Sequence, residues 1–196
     1  MESDKYLNDI SEIKKLMNKS SKFISLSGLS SIYTGIYGLI GGLYYYYKEV
    51  ITNNYSANIA IIIFLLISFL SVITTIFFTS KRAKETDEKA WSKTTEQLIA
   101  TFSITLLLGT IYIFVLIFQE KYLAAIPLVP LVYGLSLIHA AKHTSNVVMP
   151  LGITQVITAF LCVLFIEYSF WFYVIGFGAI HLINGLIIYF KYDKNN

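Results

Sequence analysis

Six apolar stretches, at 23–47, 57–79, 98–118, 123–141, 148–166 and 170–190, take up most of this 196-residue chain. At ~1.5 Å rise per residue, a helix of about 20 residues crosses a hydrocarbon core about 30 Å thick. A bilayer also demands that each crossing segment satisfy its own backbone, which a lone apolar stretch achieves only as an α-helix. The chain is therefore expected to be all-α, a polytopic membrane protein built as a bundle of six transmembrane helices. With 56% hydrophobic residues and a mean hydropathy of +0.63, too little polar chain is left for a separate soluble domain.

Charge orients the bundle. Lys5, Lys14, Lys15, Lys19 and Lys22 precede the first stretch, and Lys81, Arg82, Lys84, Lys89 and Lys93 lie between the second and third. Lys142 follows the fourth, and Lys191 and Lys194 follow the sixth. If every stretch crosses once, thirteen of the fifteen cations share one side, leaving only Lys48 and Lys121 opposite. Cations near span ends are retained on the cytoplasmic side, so both termini are expected there. The basic balance is a topology signal, and no nucleic-acid partner is expected. Fourteen lysines to one arginine suit an AT-rich bacterial genome, hence a bacterial cytoplasmic (inner) membrane. Met1–Asp9 lacks the basic start and small-residue cleavage site of a signal peptide, so the first span is expected to be its own insertion signal. Tyr44–Tyr47 and Phe170–Tyr173 place aromatic rings at the outer interface. The single Cys162 excludes an intramolecular disulfide.

Outside the spans, the chain divides into a cytoplasmic segment at 1–22, the 23–190 bundle and a 191–196 tail. Leu7, Ile10, Ile13 and Met17 recur at helical steps, which predicts an amphipathic N-terminal helix over 4–22. It can extend the first span or serve as a contact face for lipid or a partner. The 81–97 connection mixes charge signs around Trp91 and is expected to be a short helical linker. Thr94 with Gln97 reads as a capping box that starts the third span near Thr95.

Within the spans, small residues form stripes. Ser27, Ser31, Thr34, Gly38 and Gly41 recur at steps of four and three, with Gly28, Gly35 and Gly42 beside them, so another backbone can approach closely. At an offset of 124, Gly152, Gln155, Thr158, Ala159 and Cys162 repeat the theme in the fifth span, a weak parallel repeat. Gly28, Gly35, Gly38, Gly42, Gly152 and Ala159 are candidate packing positions. Pro127 and Pro130 withdraw two backbone donors from the fourth span. If that helix begins near Ile126, Pro127 is a first-turn proline.

Chemistry-bearing side chains are few. His139 and His143, four apart, share a face on a continuous helix and with His181 form a weak metal-ligand set. Their depths differ by ~10 Å at helical rise, and no carboxylate within a span supplies a general base. No metal, cofactor or catalytic residue is therefore assigned, and an intramembrane metal hydrolase ranks third among the readings. His181 stands near mid-bilayer on a face with Gly178, Asn184 and Gly185. An ionisable residue at that depth is a functional candidate by default. His181, Asn184, Gln155, Ser31 and Thr34 could line a polar site or path; interhelical hydrogen bonding is the alternative.

The segments ISLSGLSSIYTGIYGLIGG, LVYGLSLIHAAKHT and GFGAIHLINGLIIYFKY, with most of the chain around them, resemble an uncharacterised family of small bacterial six-span membrane proteins. The resemblance implies a stand-alone integral membrane protein with histidine usual at His181, and with a small polar residue and an aromatic usual at His139 and His143. The expected function is a non-enzymatic membrane protein that self-associates or binds a cytoplasmic protein through 4–22 and 81–97. The second expectation is a small-solute or ion transporter or channel, its path lined by spans one and five beside His181.

Overall fold

The computed structural model describes residue 6 and residues 27–48, 57–85, 91–144 and 147–193. The helix expected over 4–22, Tyr6 excepted, and residues 86–90 of the 81–97 connection lie outside them. The described chain is helical throughout, with α1 at Gly28–Tyr46, α2 at Ala57–Glu85, α3 at Lys93–Phe118, α4 at Tyr122–Ala140 and α5 at Val148–Leu164. The last helix, α6, is composite. Ser169–Tyr173 is α-helical, Val174–Ile180 makes π turns, His181–Ile188 returns to α geometry and Tyr189–Asp193 is again π. Four helices, at Ile61–Glu85, Lys93–Phe118, Tyr122–His143 and Ile166–Lys191, are long and apolar enough to cross a membrane. Of the other two, α1 is diluted by glycine, serine and tyrosine, and α5 is short at 17 residues.

Packing arranges the six as a row, in the order α2, α1, α6, α5, α4, α3. Helices adjacent in sequence are neighbours in the row except α2 and α3, which end it on opposite sides. The row is joined in its middle by α1 and α6, which run antiparallel. An added Cβ on Gly28 would lie 2.6 Å from the Gly185 carbonyl, and one on Gly35 2.6 Å from the Leu182 amide nitrogen. Gly38 meets the Phe177 carbonyl in the same way, and Gly42 meets the Val174 side chain. With no hydrophobic drive between helices in lipid, such close approach is the main source of cohesion. Helix α5 uses the same device with a different partner: Gly152 and Gly134 of α4 each face the other's carbonyl, so a Cβ on either would sit 2.7–2.8 Å from it.

Several boundaries differ from expectation for local reasons. α3 starts at Lys93, because Ser92 caps it by accepting from the Thr95 amide at 3.2 Å; the Thr94–Gln97 pair lies inside the first turns. The expected 81–97 linker is in large part continuation of two spans, since α2 runs to Glu85 and α3 begins at Lys93. α4 starts at Tyr122, so Pro127 is interior and not a first-turn residue. α3 ends in a Schellman arrangement. The Lys121 amide donates to the Leu116 carbonyl and the Glu120 amide to that of Ile117, both at 2.9 Å, with Glu120 at φ 60° in the left-handed position usually taken by glycine.

At one end of the bundle, Tyr45 and Tyr46 of α1 meet Phe170 and Trp171 of α6, and Lys48 lies over the Tyr44 ring. The aromatic rings of the two helices thus form one cluster. At the opposite end, Asp193 accepts from the Gly28 amide at 2.9 Å, bringing the start of α1 and the end of α6 together.

Candidate functional site

The buried polar chemistry converges on His181. Its side chain is 2% exposed, on an α6 face it shares with Gly178, Gly185 and Ile188. The preceding π turns redirect carbonyls out of the helical ladder, a distortion frequent at functional positions. The Gly176 carbonyl so placed accepts from His181 Nδ1 at 3.0 Å and from Gln155 Nε2 of α5 at 2.7 Å. A carbonyl only accepts, which puts the ring proton on Nδ1 and leaves Nε2 as an acceptor. The Tyr133 hydroxyl of α4, 2.9 Å away, donates to Nε2. Gln155 Nε2 also lies 3.4 Å from Nδ1, but both atoms donate to the same carbonyl, so no bond runs between them.

The surroundings complete a hub. Phe177 and Tyr133 stack beside the imidazole, with centroids at 6.0 and 5.6 Å, and Phe102 of α3 meets Tyr133 edge-on at 6.2 Å. From α1, the Ser31 hydroxyl donates to the His181 carbonyl at 2.9 Å. Residues of α1, α4, α5 and α6 therefore meet at His181, and α3 joins through Phe102 against Tyr133. Both imidazole nitrogens are engaged. One group in the hub has no partner: Gln155 Oε1 is buried and accepts no hydrogen bond among the described residues.

Of the residues expected to line a polar site, His181, Gln155 and Ser31 come together. Asn184 and Thr34 are half-buried and make no hydrogen bond to this cluster. The packing candidates Gly28, Gly35, Gly38, Gly42 and Gly152 all lie at helix contacts, and Ala159 is buried at 3% exposure. His139 and His143 do not share the face expected of them. α4 stops at Ala140, and Ala141–His143 is a 3-10 turn, so the four-residue spacing no longer superimposes them. His139 Nδ1 pairs instead with the Thr105 hydroxyl at 3.0 Å. Among the described residues, no three His, Cys, Asp or Glu side chains are grouped to hold a metal ion.

Sequence reasoning passed over Tyr133 and Gly176, and took Tyr173 only as an interface aromatic. Tyr133 stands beside Gly134 in a helix otherwise nearly all apolar, and the paired glycines of GFG precede His181; both were available signals. Tyr173 answers a question that Pro130 raises. A proline at 130 withdraws the amide that would serve the Ile126 carbonyl one turn earlier, and the Tyr173 hydroxyl of α6 donates to that carbonyl instead.

Comparison with protein-family models, with curated proteins and with solved structures returns no match for this chain.

Proposed function

We propose that the chain is a non-enzymatic, six-span protein of a bacterial cytoplasmic membrane, with both termini inside, that associates with further copies of itself through its cytoplasmic segments. The observation that carries this reading is the filled interface along the glycine face of α1. A path beside His181 would need space there, yet a single methyl on Gly35 would fall 2.6–2.9 Å from the backbone of α6. The hub accordingly serves to hold five helices in register, and contact chemistry moves to the cytoplasmic side.

Residues 81–97 suit a contact between identical surfaces. By sequence they combine Lys81, Lys84, Lys89 and Lys93 with Glu85, Asp87, Glu88 and Glu96, so the segment carries both signs and can complement a second copy of itself. Trp91 stands there 69% exposed, a large apolar anchor of the kind that dominates interface energies. Residues 4–22, also of mixed charge, form the second segment. Native mass spectrometry of the intact protein released from lipid is expected to give a dimer or larger assembly, weakened by Trp91→Ser. A wholly monomeric protein would redirect the contact to a different cytoplasmic protein.

A second reading draws on the unpartnered Gln155 oxygen: a small solute or ion carried past His181. Flux through liposomes holding the purified protein, abolished by Gly35→Leu, would establish that reading and displace the first.

A further inference from the structure

Helix α2 is held differently from the other five. It contributes nothing to the His181 hub. Among its described side chains only Arg82 and Ala83 are buried, both at the cytoplasmic end, while its apolar length is exposed or half-buried. Where α1 and α6 meet backbone to backbone, α1 and α2 meet through side chains: Ile63 and Ile67 cover Gly41, and Phe78 stacks on Tyr33 at 5.3 Å. The hydroxyls of Ser71 and Thr79 on α2 are buried without a hydrogen-bond partner among the described residues, so neither helps to hold the helix in place.

At its Arg82 end, α2 is also fastened by charge. Arg82, the one arginine of the chain, pairs with Asp193 at the end of α6, the two side chains being 8% and 10% exposed. The same carboxylate accepts from the Gly28 amide at 2.9 Å and from the Ser27 hydroxyl at 3.4 Å, at the start of α1. One oxygen thus faces the positive end of α1 while the other faces α2. The carboxylate remains anchored to the glycine-locked pair of α1 and α6 whether or not Arg82 is present. A guanidinium that loses this carboxylate has stem enough to turn out to the aqueous boundary, and its helix can follow.

We infer that α2 is a swinging helix, pinned in its closed position by the Arg82–Asp193 pair, and that undoing the pair lets its cytoplasmic end move away from the α1–α6 unit. The pair is a strap between a rigid core and one mobile span, and it fixes where the 81–97 segment stands.

Spin labels at Lys84→Cys on α2 and Lys142→Cys beyond α4, both exposed sites, test this in a Cys162→Ala background by pulsed dipolar distances in lipid. A second pair at Ile40→Cys and Ile183→Cys, also exposed, reports the α1–α6 unit. Asp193→Asn keeps an oxygen for the Gly28 amide and removes only the charge. It is expected to raise the long-distance population of the first pair about fivefold or more while the second pair stays unchanged. Arg82→Gln should do the same, and the double variant should add nothing further. Unchanged distances at the first pair in both single variants overturn the proposal. Equal movement at the second pair overturns it too, because the ion pair would then hold the whole bundle and not one helix.

Discussion

His181 owes its position to three different residue choices. Two glycines ahead of it accompany the π turns, Gln155 and the ring share the Gly176 carbonyl so exposed, and Tyr133 supplies the proton that Nε2 needs. Interhelical hydrogen bonds in membranes contribute about 0.6 kcal/mol on average and up to about 2. Tyr133→Phe leaves Nε2 buried with no donor, so a loss of about 1 kcal/mol is expected, seen as a fall of a few degrees in Tm in lipid or mild detergent. An unchanged Tm would mean that the hydroxyl is not the partner of the ring. Glu120 offers the opposite sign. A left-handed φ of 60° at the end of α3 strains any residue with a Cβ, and Glu120→Gly should raise stability by about 0.5–1 kcal/mol in the same thermal assay.

Helices were the most legible part of the sequence, since runs of apolar residues mark segments whatever their neighbours. Their ends were less so. Ser92 lacks the glutamate or glutamine three residues on that makes a capping box, and the nearby Thr94–Gln97 pair shows that pattern by coincidence. The stripes on α1 and α5 were readable as contact faces, but their partners were not, because a glycine face is equally suited to any backbone. Only the fold pairs α1 with α6 and Gly152 with Gly134. The histidine pair of α4 failed as a shared face because the helix tightens to a 3-10 turn after Ala140, a change with no glycine or proline to announce it.

The link between Pro130 and Tyr173 crosses two elements and gives a cycle that can be measured. Tyr173→Phe alone should cost about 1 kcal/mol by orphaning the Ile126 carbonyl. In a Pro130→Ala background the restored amide serves that carbonyl within α4, so the same substitution should cost about half as much or less. Equal costs in both backgrounds would separate the two residues and leave the hydroxyl's role in α6 packing alone.

At the scale of the whole molecule, the row of six helices has a locked middle and two ends exposed along most of their length. In the proposed topology, the charge asymmetry of the sequence assigns both segments of mixed sign, 4–22 and 81–97, to one side of the membrane. Self-association through that face predicts a short distance between equivalent residues of two copies. Lys93→Cys, exposed beside the Trp91 anchor, in a Cys162→Ala background, cross-linked in membranes by a short bifunctional thiol reagent, tests it most directly. A covalent dimer is expected at Lys93→Cys and none at a control beyond the opposite end of α3 such as Glu120→Cys. A protein that stays monomeric under every reagent length at position 93, or cross-links equally at position 120, would contradict it.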